Sequence, residues 1–414
     1  MVVLHRKGDL HMSEKKKKYN VTLWIVIGLF AGIALGLVLP SWLVTPFTVI
    51  SSIYMSALRM MIYPLVFTSL VVAIIGIGSI AKTGKISLHA LLWYTGTTAF
   101  ASGLGLILPR LLHLGEGITI TATGTQVEAA TFTGLLDTLQ NLIPSNPFLS
   151  FTEGNMLQVL VFAVIIGLSC LSLKEKAEPV RNLCQSIYDI SIFVVGKVMN
   201  FTPLGVFTTI ALVIHANGTA TMIQLAQVMI AMYVVFVLYA VLVYGGMVKF
   251  LGKYNPIKFF KDVAPAALHA FGTCSSNATL PISMQCATEN IGIPKEIVSL
   301  TLPLGATINM DAVSIVMSFM ITFFASALGI PVSIGTMATV LAANVLLSIG
   351  TPGVPGGAIA AFAALAPLAG LPLEQILGVY ISVNTLADMG ATCVNVLGDL
   401  ACSTVLKQTL STNR

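Results

Sequence analysis

Six apolar runs, at about 21–39, 48–78, 87–112, 155–173, 188–215 and 222–248, dominate the first two thirds of the chain. A helix crosses the hydrocarbon core of a bilayer with about 20 apolar residues, so each run is long enough to span. In lipid every backbone polar group must be satisfied internally, which leaves helices and closed barrels. Runs this long and continuous select helices. The composition agrees, with 56% of residues hydrophobic and 9% charged, against about 25% charged in soluble domains. A disordered chain, a nucleic-acid binder and an ordinary soluble enzyme are excluded. The chain reads as an all-α polytopic membrane protein, and each charge left inside an apolar stretch becomes a functional suspect.

Basic residues set the topology. Arg6, Lys7 and Lys15 to Lys18 precede the first run; Lys82 and Lys85 lie in the second gap, Lys174, Lys176 and Arg181 in the fourth, and Lys249, Lys253, Lys258 and Lys261 after the sixth run. Gaps 40–47, 113–154 and 214–221 carry no Lys or Arg. This alternation places the N-terminus in the cytoplasm. The 113–154 gap reads as an extracellular loop followed by a broken helix around Ile143-Pro144-Ser145-Asn146-Pro147.

The second half is different. Two segments, Phe271 to Pro281 and Ser348 to Gly357, are rich in Gly, Pro, Ser, Thr and Asn and flanked by apolar stretches too short for two crossings each. Non-helical backbone at membrane depth survives where it lines a cavity or is buried in protein. The basic segment 249–261 and Lys407 with Arg414 both belong inside, which requires an even number of crossings between them. Full helices at about 297–326 and 375–406 supply it if both interrupted segments are re-entrant hairpins. Paired interrupted segments point to a transport site near the midplane.

Three acids, Asp311, Asp388 and Asp399, stand in this half, and no Lys or Arg occurs between residues 299 and 406. A carboxylate left unpaired in the bilayer costs at least about 2.5–3.5 kcal/mol, so bound cations, a cationic substrate group or a proton must compensate. Asn384, Asp388, Thr392, Asn395 and Asp399 recur at steps of four, four, three and four, which keeps them on one helical face. Gly305 to Asp311 reads as a second interruption, with Gly305 permitting unwinding and Asn309 and Asp311 offering oxygens. Oxygen-only ligation suits a hard cation such as Na⁺ rather than Zn or Cu. The free N–H groups of the hairpin tips suit a carboxylate. The six cysteines form no C-x-x-C pair and, with His269, read as packing residues. Ser275 and Ser276 have no His or Lys partner in the motif and no H-E-x-x-H occurs, so an enzyme is not expected.

Together, Asn309-Met310-Asp311, Ser275-Ser276-Asn277-Ala278-Thr279-Leu280-Pro281, Gly353-Val354-Pro355-Gly356 and the stretch Asp388 to Asp399 resemble the dicarboxylate/amino acid:cation symporter family. Tyr94 to Thr98 and Asn146-Pro147-Phe148 extend the likeness over almost the whole chain. The resemblance implies a homotrimer in the plasma (cell inner) membrane, with both termini cytoplasmic. Each protomer would have eight transmembrane helices plus two re-entrant hairpins with inverted repeats. Residues 1–85 and 113–220 would form a scaffold, and 86–112 and 221–414 a transport domain moving as an elevator. Na⁺ would bind at several sites, three by the matching positions. One uses Gly305, Asn309, Asn395 and Asp399; a second Thr307, Ser348, Ile349 and Thr351; a third Tyr94, Thr97, Thr98, Asn309 and Asp311. Substrate would meet Ser275, Ser276 and Asn277 of the first hairpin, Gly353, Val354, Pro355 and Gly356 of the second, and Thr307. Asn395 would help hold its carboxylate and Asp388 its ammonium, with Thr392 nearby and Ala391 beside the substrate's side chain.

Acidic-substrate members of that family carry an Arg on the last helix where this chain has Ala391, and its acidic partner is replaced here by Asn384. Archaeal members carry another Arg where Cys274 stands. Without a cationic group a second carboxylate would be buried unpaired. The expected substrate is therefore a small neutral L-amino acid (Ser, Thr, Ala or Cys), carried by Na⁺ symport. Obligate exchange, cystine or acidic amino acid symport, and an anion-conducting channel remain alternatives.

Overall fold

The computed structural model describes residues 21–81, 85–116 and 143–412; of the expected 113–154 loop, residues 117–142 lie outside them. All regular structure among the described residues is helical. The helices are α1 (Val21–Gly36), α2 (Ser41–Met60), α3 (Ile62–Ala81), α4 (Lys85–Leu111), α5 (Pro147–Glu153), α6 (Met156–Leu173), α7 (Glu178–Met199) and α8 (Thr202–Leu238). They continue as α9 (Gly245–Phe250), α10 (Pro256–Thr273), α11 (Ser276–Gln285), α12 (Lys295–Ile308), α13 (Asp311–Ala327), α14 (Ile334–Gly350), α15 (Gly357–Leu365) and α16 (Leu373–Thr412). A π-helical stretch, Tyr239–Tyr244, joins α8 to α9, and another, Cys286–Asn290, follows α11.

The apolar runs become helices, but several limits move. The gap at 40–47 is mostly helix: Pro40 stands at the N-cap of α2, and the helix continues through Pro46, whose missing N–H leaves one intrahelical bond unmade. The second run breaks at Met61, and the fifth at Asn200–Phe201 between α7 and α8. Helical backbone also runs through 214–221, which has no proline to stop it. At the other expected break, Asn146 caps α5, its side chain accepting from the amides of Phe148 and Leu149.

Helix α4 leaves its chain neighbours and packs chiefly on α13, with further contacts to α12, α14 and α16. Helices α1 and α2 lie on α8, and α3 lies on α6 and α7. Helix α13 is buried along all of its length except Ser326, the pattern of a helix that is apolar all round.

Two helical hairpins converge beside it. In the first, α10 ends at Cys274 in the left-handed region (φ 50°), and Ser275 caps α11 by accepting from the Ala278 amide. In the second, α14 ends at Gly350 and α15 opens behind Gly356 (φ 86°), a position glycine adopts without strain. The inner arms α11 and α15 have 10 and 9 residues. At 1.5 Å per residue each reaches about 15 Å, half of a ~30 Å hydrocarbon core. The tips touch: Ser275 Oγ donates to the Gly353 carbonyl at 2.9 Å, and the Asn277 amide reaches the same oxygen at 3.4 Å.

Candidate functional site

The break between α12 and α13 falls at Asn309–Met310, later than Gly305. Gly305 stays helical, its carbonyl accepting the Asn309 amide at 2.8 Å. Its contribution is size rather than unwinding. A Cβ there would collide with Asp399 Oδ1 and stand 2.8 Å from the Tyr94 hydroxyl. Asn309 turns its side chain across to α16, donating through Nδ2 to Asp399 Oδ1 at 2.8 Å and to the Asn395 carbonyl at 3.1 Å. Its Oδ1 is buried and has no hydrogen-bond donor. An orphaned acceptor beside a buried carboxylate is what a cation requires. Gly305, Asn309, Asn395, Asp399 and Tyr94 are thus brought together, and all are buried.

Asp311 lies beside this group. Thr98 donates to its Oδ1 at 2.6 Å, while the Thr97 hydroxyl bonds back to the Trp93 and Tyr94 carbonyls. On Oδ2 Asp311 receives the Tyr244 hydroxyl at 2.7 Å. The Tyr239 hydroxyl is 3.2 Å from that oxygen and 2.9 Å from the Thr97 carbonyl. Sequence reasoning missed both tyrosines. They are five residues apart, so an α-helix would point them apart, whereas the π-helical stretch stacks positions i and i+5. Their rings meet edge-on at 5.1 Å. The signal available was a pair of tyrosines inside an apolar run, whose hydroxyls had to find partners. Among the described residues, neither Asp311, Asp388 nor Asp399 has a cationic side chain within ion-pair distance.

A narrow cavity adjoins this centre. It is lined by Cys274, Ser276, Met310, Val313, Thr351, Pro352, Gly353, Val354, Ala358, Asp388, Thr392 and Asn395. Six of the twelve expected substrate residues lie on its wall: Ser276, Gly353, Val354, Asp388, Thr392 and Asn395. Thr392 Oγ1 donates to Asp388 Oδ1 at 3.3 Å. Asn395 joins cavity to cation centre. Its Oδ1 accepts the Ala312 amide at 2.8 Å, its carbonyl accepts from Asn309, and its Nδ2 is 3.4 Å from Met310 Sδ. Met310, Val313, Pro352 and Ala358 are wall residues that sequence reasoning did not include.

Other expected residues stand elsewhere. Ser275 spends its hydroxyl on the tip contact, and Asn277 and Pro355 are exposed. Ala391 is fully buried but off the wall, because one step along a helix turns about 100° and Thr392 takes the facing position. The second Na⁺ set is not assembled. Thr307 is exposed with its hydroxyl on the Pro303 carbonyl, while Ser348 and Thr351 bond back to the Val345 and Leu347 carbonyls. Ile349 is half-buried beside them, and Thr351 lines the substrate cavity instead.

A profile of the sodium:dicarboxylate symporter family matches residues 21–409. The proton/sodium-glutamate symport protein of Geobacillus stearothermophilus is 28% identical over 405 residues, 95% of each chain. The C4-dicarboxylate transport protein of Geobacter sp. (strain M21) is 30% identical over 382 residues, 89% of this chain and 86% of its own. That of Yersinia pestis (strain Pestoides F) is 32% identical over 339 residues, covering 79% and 78%. Apolar helices of spanning length, buried acids with no cationic partner and a match over almost the whole chain converge. The chain belongs to the sodium:dicarboxylate symporter family, a multi-pass membrane protein that performs cation-coupled transport and is not an enzyme.

Proposed function

We propose that the chain carries small neutral L-amino acids (Ser, Thr, Ala or Cys) by Na⁺ symport. The observation that supports this reading is the cavity wall, which holds one carboxylate, Asp388, and no Lys, Arg or His. A zwitterion matches it: the ammonium meets Asp388, while Ser276, Asn395 and the hairpin backbone take the carboxylate. A C4-dicarboxylate would bring two negative charges against Asp388 with nothing to offset them, and glutamate would bury its side-chain carboxylate unpaired. The relatives' names favour the acidic reading, and Ala391 and Cys274 are the positions that argue against it here.

The Asp311 and Asp399 centre holds Na⁺ as a co-transported substrate, with Asn309 Oδ1 offered to it. The second site, from Thr307, Ser348, Ile349 and Thr351, would form when hairpin 2 shifts. We infer a trimer with cytoplasmic termini, in which 1–85 and 113–220 stay fixed while 86–112 and 221–414 move as an elevator, a division that falls within the continuous helix α8. The packing of α4 on α13, away from its chain neighbours, supports that division.

The experiment is uptake into proteoliposomes under an imposed Na⁺ gradient. Serine accumulation that requires external Na⁺ and no internal amino acid is expected. Accumulation that ignores Na⁺, needs internal amino acid, or is outcompeted by aspartate or succinate would overturn the reading.

A further inference from the structure

A buried polar cluster lies apart from the cavity wall and the cation centre. Asn344, in the middle of α14, is fully buried. Its Nδ2 lies 3.0 Å from Ser102 Oγ on α4, and 2.8 Å from Ser318 Oγ and 3.0 Å from the Ser314 carbonyl on α13. The hydroxyls of Ser102 and Ser318 are 2.9 Å apart. All four residues are fully buried.

The positions matter. Ser102 is one turn beyond Thr98 on α4, and Ser314 and Ser318 are one and two turns beyond Asp311 on α13. These are the two helices whose Thr98–Asp311 bond builds the cation centre. Asn344 is one turn before Ser348 on the outer arm of hairpin 2, whose tip carries Thr351 to Val354 on the cavity wall. One amide therefore ties the arm that covers the substrate to both helices that hold Asp311.

Packing does not ask for an asparagine here. Asn is a poor helix former, and a buried amide is costly unless satisfied. Nor is the cluster saturated: Asn344 Oδ1 and Ser314 Oγ are buried without partners. A cluster serving stability alone would satisfy its members. Hydrogen-bonding capacity is left over, which a shift of α14 along α13 would use.

We propose that Asn344 is a positioning residue that couples the Asp311 cation centre to hairpin 2, so that filling the centre fixes the arm over the cavity. This rests on the reading of Asp311 as a Na⁺ site. It does not depend on which solute is carried.

The test reads the hairpin directly, in the full-length protein. Pro355→Cys places a thiol at the exposed tip, and its maleimide labelling, resolved by peptide mass, is timed with and without Na⁺. Na⁺ is expected to slow labelling at least fivefold. With Asn344→Leu added, that effect should fall below twofold, while the rise in Tm caused by Na⁺ alone persists. Retention of the full Na⁺ effect in a folded Asn344→Leu protein overturns the proposal, as does absence of any Na⁺ effect in the Pro355→Cys parent. If Asn344→Leu does not fold, Ser102→Ala and Ser318→Ala are read the same way, and an unchanged Na⁺ effect in both is equally fatal. Failure of the underlying reading looks different: Na⁺ would leave the Tm of the unaltered protein, and of Asp311→Asn, alike unmoved.

Discussion

Asp388→Asn removes one charge and keeps the shape of the side chain. Asp388 is 8% exposed and lines the cavity. Its hydrogen-bond partner is Thr392, which carries no positive charge. A bound ammonium would therefore supply the only full positive charge against it. Removing one partner of a buried, hydrogen-bonded charge pair costs about 2–5 kcal/mol. At about 1.4 kcal/mol per decade, serine affinity should fall between roughly 30-fold and several thousand-fold. The cation centre should be spared, since its hydrogen bonds run among Asn309, Asn395 and Asp399 and do not involve Asp388. The assay is calorimetric titration of serine at saturating Na⁺, paired with the thermal shift produced by Na⁺ alone. Loss of serine binding with the Na⁺ shift intact is expected. Wild-type serine affinity in Asp388→Asn would refute the ammonium assignment.

Three further outcomes follow from the geometry. Gly305→Ala drives a methyl group into Asp399 Oδ1 and the Tyr94 hydroxyl. Overpacking costs about 1–3 kcal/mol, so both the Tm and its response to Na⁺ should drop, and an unchanged Na⁺ response would argue against a cation between these groups. Tyr244→Phe keeps the ring beside Tyr239 but removes the 2.7 Å donor to Asp311. A hydrogen bond to a charged group contributes about 1.5–3 kcal/mol, so the Na⁺ concentration for half-maximal uptake should rise about tenfold or more. Ala391→Arg should let aspartate compete with serine uptake, and more so with Asn384→Asp added, since Asn384 is buried with its Oδ1 unpartnered and stands two turns away. Failure of the double variant to admit aspartate would show that position 391 does not set the preference.

Much of this architecture is legible in the chain because membranes allow few backbone solutions. Apolar runs had to be helices, and clusters such as Cys274-Ser275-Ser276 had to be turns buried in protein. The stripe from Asn384 to Asp399 was readable because helical periodicity is fixed, and four of its five members reach the cavity or the cation centre. What escaped has physical causes. Tyr239 and Tyr244 face Asp311 only through a local change of helical period that no spacing rule reveals. Gly305 looked like a hinge and is instead a gap that two side chains fill, because glycine supplies small size as readily as freedom. Thr307 and Ala391 depended on where a helix face points to within one residue, and tertiary packing decides that. Asn344 looked like one more polar residue in an apolar stretch, since its three partners come from helices 26 to 242 positions away.

The contact between the hairpin tips has a thermodynamic consequence. It consists of one side-chain bond at 2.9 Å and one longer backbone bond, both onto the Gly353 carbonyl. Each net bond contributes about 0.5–1.5 kcal/mol, so parting the tips requires about 1–3 kcal/mol. By the two-state relation that contact alone would leave the tips parted for roughly 1–15% of the time. The tip contact by itself is therefore too weak to keep solute and water apart. Vectorial transport must draw its fidelity from the bound solute and ions themselves, which act as the bolt.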